Sequence, residues 1–241
     1  MNIYNIPVFY ISFTKKPDLE QQLKEIGFTD INHFVSIDGR KLDIDELAKN
    51  NMITIRTYKD LKTIRTQHYG LPSLGAVGCT LSHYELWKKC LNEYDHIIIL
   101  EDDVDINRNL TQNELEYINE CLQKENSSFV SNTDFIDDSF IGLQFYICSK
   151  GMCNELVKYT FPIDVQTDFY IDHLSKMNKI NVGCKKIFTQ KKHISSIQDF
   201  CIKCILPNNI YYYLIFIIMF IIICILSLYL FMTRVYQVRM N

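Results

Sequence analysis

This 241-residue sequence lacks an excess of one sign of charge, since 25 basic side chains stand against 28 acidic ones for a formal charge of −3. A nucleic-acid backbone binds sign-biased surfaces, so nucleic acid is not an expected partner. Glycine, at 8 residues, and proline, at 5, are sparse. No Ser/Gly/Pro-rich linker divides roughly the first 200 residues and no internal repeat is visible, so one domain is expected there. Residues Met1–Phe13 lack a basic n-region, carry Pro7 and hold only the short apolar run Val8–Ile11, which argues against a cleaved signal peptide. Without one, the nine irregularly spaced cysteines are expected to stay reduced.

An apolar share of 48% fills a packed core at this length. It is unevenly spent: Leu214–Met232 is a run whose only clearly polar side chain is Ser227. Extended back to Tyr211, a helix there would rise ~33 Å at ~1.5 Å per residue and cross a hydrocarbon core of about 30 Å. Tyr211–Tyr213 fall where an aromatic belt belongs, and Arg234 and Arg239 follow the other end. The sequence therefore reads as a domain over residues 1–206, one C-terminal membrane span over 211–232 in a lipid bilayer, and a short tail over 233–241. Because the single hydrophobic signal leaves the ribosome last, the domain is expected to face the cytosol. Cys201 and Cys204 form a lone Cys-x-x-Cys before the span, which is half a zinc site at most or a site of acylation.

Within the domain, Val8–Phe13 reads as a strand, Pro17–Ile26 as a helix with proline in its first turn and Gly27 at its exit, and Ile31–Ile37 as a strand closed by Asp38-Gly39. This is a βαβ start to a parallel sheet, whose ligands belong at the C-terminal strand ends. Only a short helix, Ile44–Lys49, is expected in the polar stretch that follows. Val77, Leu81, Tyr84, Trp87, Leu91 and Tyr94 recur at spacings of three and four and predict a helix with one buried face. His96–Leu100 predicts a strand; Gln112–Lys124 a helix followed by a polar loop; Thr133–Ile136 and Ile141–Ser149 strands. Lys150–Tyr159 predicts a helix, Ile163–Met177 a loop with a helix, and Ile180–Thr189 a last strand. The pattern favours α/β with some antiparallel edge.

Glu101, Asp102 and Asp103 crowd the end of a buried strand, where they repel one another unless a cation sits among them. Alternation puts Glu101 and Asp103 on one side and Asp102 on the other. Oxygen ligands of this kind suit magnesium or manganese, while a solvated loop that caps the next helix fits the same spacing. Gly75 and Gly78 precede the patterned helix, where a backbone can approach a phosphate at the free N–H groups or simply turn. Ser82 and His83 read as a capping or core pair, and Cys79 with His83 has the i, i+4 spacing of a metal pair without a second pair.

These segments occur together in a known family. The stretches Ile6–Asp18, Ser36–Arg40, Leu74–His83 with Trp87, Ile98–Val104, and Phe145–Gly151 followed by Pro162, Asp168, Gln190, Ser195 and Ser196 resemble glycosyltransferase family 25, the lipooligosaccharide and procollagen galactosyltransferase group. The resemblance runs over roughly residues 6–197. It implies a GT-A-like nucleotide-sugar-binding domain that moves a hexose, galactose or glucose, from a nucleotide sugar such as a UDP-hexose to a glycan or protein acceptor hydroxyl, with inversion. By the same resemblance Glu101, Asp102 and Asp103 hold Mn2+ or Mg2+ under the diphosphate, and Gly75, Gly78, Ser82 and His83 belong to the donor site. Lys15 or Lys16 replaces an arginine that many members carry where this chain has Leu19. Inversion needs a base across the site from the cation, and Asp168 is the family-like candidate ahead of Asp164 and Asp172. The chain is short between Phe135 and Tyr146, in a region that shapes an acceptor site. The competing expectation is a catalytically inactive, tail-anchored binding or scaffold protein that keeps the fold.

Overall fold

The computed structural model describes residues 2–63, 69–131, 134–136, 139–191, 215–223 and 225. The chain divides into two compact units, Met1–Arg65 with Tyr69–Asp199, and Thr66–His68 with Phe200–Asn241. In the second, residues 215–223 are helical with exposed apolar side chains. No helix among the described residues is long and apolar enough to cross a membrane. The remainder of the expected 211–232 span, and with it Cys201, Cys204 and Cys224, lies outside the described residues. The six described cysteines, Cys79, Cys90, Cys121, Cys148, Cys153 and Cys184, form no disulfide among themselves.

The first unit is built on a six-stranded sheet. Its strands are β1 (Val8–Ser12), β2 (Ile31–Val35), β3 (His96–Glu101), β5 (Ser127–Ser131), β8 (Phe145–Ser149) and β9 (Asn181–Cys184), in the order β2-β1-β3-β8-β5-β9. β2, β1 and β3 are mutually parallel, as a βαβ start requires, and β5 is parallel to β9. β8 runs antiparallel to both β3 and β5. The antiparallel strand thus sits inside the sheet, not at the expected edge, and both its faces are covered. Two small ribbons complete the strands: β4 (Val104–Asp105) pairs with β10 (Thr189–Gln190), and β6 (Asp134–Ile136) with β7 (Ser139–Ile141).

Side chains alternate along each strand, and the core divides accordingly. Val8, Tyr10, Ile98, Leu100, Phe129 and Ile147 pack with residues of α1 (Pro17–Glu25) and α5 (Gln112–Leu122). On the other face, Phe9, Ile11, Ile97, Ile99, Tyr146 and Cys148 pack with α4 (Leu74–Glu93), α6 (Lys150–Tyr159) and α7 (Thr167–Lys176). A third cluster joins α2 (Ile44–Lys49) and α3 (Ile55–Lys62) to the first turns of α4. The result is an α/β sandwich with a mixed sheet, the layering expected of a GT-A-like domain.

α4 departs from a helix with one buried face. Besides Val77, Leu81, Leu86 and Trp87 it buries Ala76, Gly78, Thr80, Ser82, His83 and Cys90, so it is enclosed over most of its circumference. Two elements run against expectation for a polar sequence. α3, capped by the Thr54 side chain, lies in the polar stretch where only α2 is expected. β5 reads Ser-Ser-Phe-Val-Ser yet is buried at every position. The Ser128 hydroxyl donates to the Ile147 carbonyl (2.8 Å), and the Ser131 hydroxyl accepts from the Phe188 N–H (2.8 Å). Hydroxyls satisfied in this way are no bar to burial.

The Asp38-Gly39 turn is pressed against the start of α4. A Cβ at Gly39 would lie 1.9 Å from the Leu74 carbonyl oxygen, and one at Gly78 would lie 2.5 Å from the Ile37 carbonyl oxygen and 2.7 Å from the Gly39 nitrogen. These glycines let one backbone touch another. Gly78→Ala should therefore destabilise the domain by about 1–3 kcal/mol, the usual range for overpacking; an unchanged melting temperature would overturn the close approach.

Helix α5 begins with a capping box in which the Thr111 side chain accepts the Glu114 N–H and the Glu114 carboxylate accepts the Thr111 N–H. Arg108 adds two hydrogen bonds at 2.7 and 2.8 Å and, with burial opposing it, holds Glu114 at a pKa of about 2 against an ordinary 4.5. A depressed folded-state pKa contributes stability above the unfolded value and withdraws it as the pH falls towards the folded one. Unfolding should steepen between pH 4.5 and about 2 in the wild type. In Glu114→Gln, less stable by about 1–2 kcal/mol at neutral pH, that acid limb should flatten, as measured by denaturant titration across pH.

Candidate functional site

The C-terminal end of β3 lies at the centre of the sheet beside the end of β1, and the chain turns there through Asp102 and Asp103 into β4. Alternation stops with the strand, and each acidic residue is held by a different element. Glu101 Oε1 lies 3.4 Å from His83 Nε2 and 4.0 Å from Cys79 Sγ, both on α4. Asp102 Oδ2 pairs with Lys16 Nζ at 2.8 Å. Asp103 Oδ2 accepts from Gln190 Nε2 at 2.6 Å, and its carbonyl accepts the Lys191 N–H at 2.8 Å. The first of these follows from β3 register, because Glu101 shares the face of Ile97 and Ile99, which packs on α4.

Lys16 is positioned by Tyr10, whose buried ring stands on β1. The Tyr10 hydroxyl donates to Glu20 and accepts the Lys16 N–H at 3.3 Å; burial and the Glu20 carboxylate push its pKa up to about 12, so it remains a donor. Lys15 is exposed beside it.

Behind Glu101 the side chains are enclosed. His83 Nδ1 lies 2.8 Å from the Tyr146 hydroxyl, which also accepts the Trp87 indole N–H at 3.0 Å. Ser82 is fully buried; its hydroxyl donates to the Gly78 carbonyl (2.8 Å) and accepts the Ile37 N–H (2.9 Å). The N-terminus of α4 is capped by Ser73, which accepts the Ala76 N–H at 3.3 Å. The structure thus gives Gly78 and Ser82 to packing against the turn after β2, and leaves half-buried Gly75 as the glycine nearer the surface. Cys79, His83 and Glu101 bring ligand-type atoms within 4.8 Å of one another. Burial and the carboxylates of Glu101, Asp168 and Asp103 push the Cys79 thiol well up, which keeps it protonated and a poor ligand.

Asp164, Asp168 and Asp172 separate by their partners. Asp164, before α7, is bound by Arg56 and by the Thr54 hydroxyl. Asp172 is buried and pairs with Lys176 at 2.9 Å. Asp168 instead receives backbone N–H groups, from Gly142 at 3.1 Å and Phe169 at 2.8 Å. Its pKa is raised, chiefly by burial and further by the nearby Glu101 charge, while those N–H bonds pull the other way. The three therefore sit in different surroundings. The charges of Glu101, Asp168 and Asp103 all bear on Cys79, and the Gly142 N–H, just past the β6–β7 ribbon in the short 135–146 region, bonds Asp168.

Adjoining Asp168 is a cavity of about 620 Å³ whose walls include Arg56, Tyr69, Thr80, Asp164, Phe169 and Tyr170. Thr80 links the two spaces: it lines the cavity, lies beside Cys79, and hydrogen-bonds Thr167 at 2.9 Å. The acidic turn itself lies outside the cavity. Two participants, Tyr146 and Gln190, carry no signal in spacing; the trace of Tyr146 is one polar aromatic in the apolar run Phe145–Cys148.

Comparison with known proteins bears on this arrangement. Glycosyltransferase family 25 (LPS biosynthesis protein) matches over residues 6–139. The chain is similar to a glycosyltransferase 25 family member of Drosophila pseudoobscura pseudoobscura, 27% identical over 119 residues that cover 47% of this chain and 18% of that protein. Procollagen galactosyltransferase 2 of Homo sapiens is 25% identical over 101 residues, 40% of this chain and 15% of the relative. Probable inactive glycosyltransferase 25 family member 3 of Bos taurus is 30% identical over 122 residues, 49% and 20%. The matched stretch thus covers no more than a fifth of any of the three. Glu101, Asp102 and Asp103 stand at the end of β3 inside the matched stretch, and on that match the chain belongs to glycosyltransferase family 25.

Proposed function

We propose that this chain transfers a hexose, galactose or glucose, from a nucleotide sugar such as a UDP-hexose to an acceptor hydroxyl, with inversion at the sugar carbon. The observation that carries the reading is the acidic end of β3, where Glu101, Asp102 and Asp103 follow one another at the centre of the sheet, with Asp168 near enough for the Glu101 charge to raise its pKa. Family membership supports the nucleotide-sugar donor, and the galactose in the name of the human relative supports the hexose.

Glu101, Asp102 and Asp103 would hold Mn2+ or Mg2+, which oxygen donors suit, once Asp102 and Asp103 turn from Lys16 and Gln190. Such an ion, when bound, offsets the charge of the leaving diphosphate. Lys16 and Lys15 reach the same anion from the loop after β1, and Gly75 forms the near wall. Gly78, Ser82 and His83 act from behind, by packing and hydrogen bonding. The acceptor occupies the cavity beside Asp168, among Tyr69, Phe169 and Tyr170. Its oxygen attacks the anomeric carbon, the bond to the diphosphate breaks with its electron pair, and the hydroxyl proton passes to the Asp168 carboxylate.

A second reading, an inactive binding or scaffold protein, is favoured by the Lys16–Asp102 pair, which neutralises part of the turn without an ion. Hydrolysis and transfer assays with UDP-hexoses, with and without Mn2+, decide between them; nucleotide binding without either reaction would leave the scaffold. Asp103→Asn should abolish metal-dependent nucleotide binding. Asp168→Asn should lower turnover by about 10²–10⁴-fold with donor affinity nearly unchanged, the usual contribution of a general base. Wild-type turnover in that variant would remove Asp168 from the mechanism.

The run over 211–232 is proposed as a single C-terminal membrane anchor, with the domain on the cytosolic side. Full-length protein should sediment with membranes, and a chain ending at Pro207 should remain in the supernatant with its fold intact. Glycosidase-sensitive modification at Asn109 or Asn126, both in sequons, would overturn the cytosolic assignment.

A further inference from the structure

The side chains of Trp87, His83 and Tyr146 are all completely buried, so each of their polar hydrogens must be accounted for inside the protein. An indole N–H can only donate, and at 3.0 Å it donates to the Tyr146 oxygen. That hydroxyl has one proton of its own, and His83 Nδ1 lies 2.8 Å away. If Tyr146 donates to Nδ1, every group is satisfied and the neutral imidazole carries its proton on Nε2, facing Glu101 Oε1 at 3.4 Å. In the opposite tautomer the Tyr146 oxygen accepts twice and its own proton is left without an acceptor, at a cost of about 1–3 kcal/mol. A free energy of that size fixes one tautomer.

Resting on the reading of the acidic turn given above, we propose that Tyr146 and His83 are positioning residues for Glu101. The buried chain Trp87→Tyr146→His83→Glu101 keeps an N–H directed at Glu101 Oε1, which fixes the carboxylate's rotation and leaves its second oxygen, Oε2, for the cation. Among the described residues no hydrogen-bond partner stands on Oε2. The arrangement also explains why a helix enclosed on most sides retains a histidine at position 83: the side chain links a core hydroxyl to a ligand at the rim. Outer partners of metal-binding side chains typically change metal affinity by about 10–100-fold when removed.

Two measurements on the full-length protein test this. The first is the nitrogen chemical shifts of the His83 imidazole in the wild type, which report the tautomer without any variant or ion. Protonation on Nε2 is expected, and protonation on Nδ1 would overturn the proposal. The second is calorimetric titration with Mn2+ alone. Tyr146→Phe keeps the ring and removes only the hydroxyl, so it should weaken Mn2+ binding about 10–100-fold and mix the two His83 tautomers. His83→Gln, which still presents an amide N–H towards Glu101, should bind more tightly than His83→Ala.

Equal Mn2+ affinity in wild type and Tyr146→Phe would overturn the positioning role. A wild type that binds no Mn2+ would overturn the cation assignment and with it this role, even where the tautomer is as expected. The two failures are therefore distinguishable.

Discussion

α4 buries Thr80, Ser82 and His83 along with its apolar residues, and a polar group buried without a partner costs about 1–3 kcal/mol. That constraint orients the helix more tightly than hydrophobic packing does, because apolar contact tolerates small rotations and hydrogen bonds do not. Each of the three is answered from a different direction: Thr80 by Thr167 at the start of α7, Ser82 by the Ile37 N–H after β2, and His83 by Tyr146 on β8. A rotation of α4 that kept its apolar contacts would break all three at once. With α4 fixed, Cys79 and His83 face the end of β3, Thr80 faces the cavity, and the Gly39–Gly78 contact closes the near end.

The antiparallel course of β8 serves the same geometry. It places Tyr146 opposite Ile99 on the face that meets α4, so the hydroxyl meets His83 and Trp87 at once. It also returns the chain past Gly142, whose N–H meets Asp168, beside the strand that ends in Glu101.

Elements that separate apolar from polar positions were legible in the sequence. β1, α1, α2, β3 and α6 fall where spacing, Pro17, Gly27 and the abrupt end of the His96–Leu100 run place them. β5 was not, because Ser127, Ser128 and Ser131 look solvated until their hydroxyl partners, Leu122, Ile147 and Phe188, are known from the fold. α3 was hidden by a polar sequence whose order comes from tertiary contacts, including Arg56 and Thr54 on Asp164. At the site, the residue types at 101–103 spoke of a cation, and strand alternation gave the direction of Glu101 but not those of Asp102 and Asp103, since a turn begins at Asp102. The glycines at 75 and 78 were ambiguous for a related reason. Linear spacing says that a Cβ is unwelcome without saying whether a phosphate or another backbone comes close, and at Gly78 it is a backbone.

The stretch matched to the family, residues 6–139, contains Lys16, the first turns of α4 and the whole acidic turn. Asp168, Gln190, Tyr146 and most of the cavity wall come from beyond it. Beyond the pairing of β8 with β3 and β5 and of β9 with β5, the site side chains of the two stretches meet through directional links: Gln190 to Asp103, Tyr146 to His83, and Thr167 to Thr80. A change in the later stretch therefore reaches His83 or Asp103 through a hydrogen bond without touching a carboxylate of the strand end. Lys16 is the exception. It is supplied by the loop after β1 and braced there by Tyr10, so both members of its pair with Asp102 belong to the matched stretch.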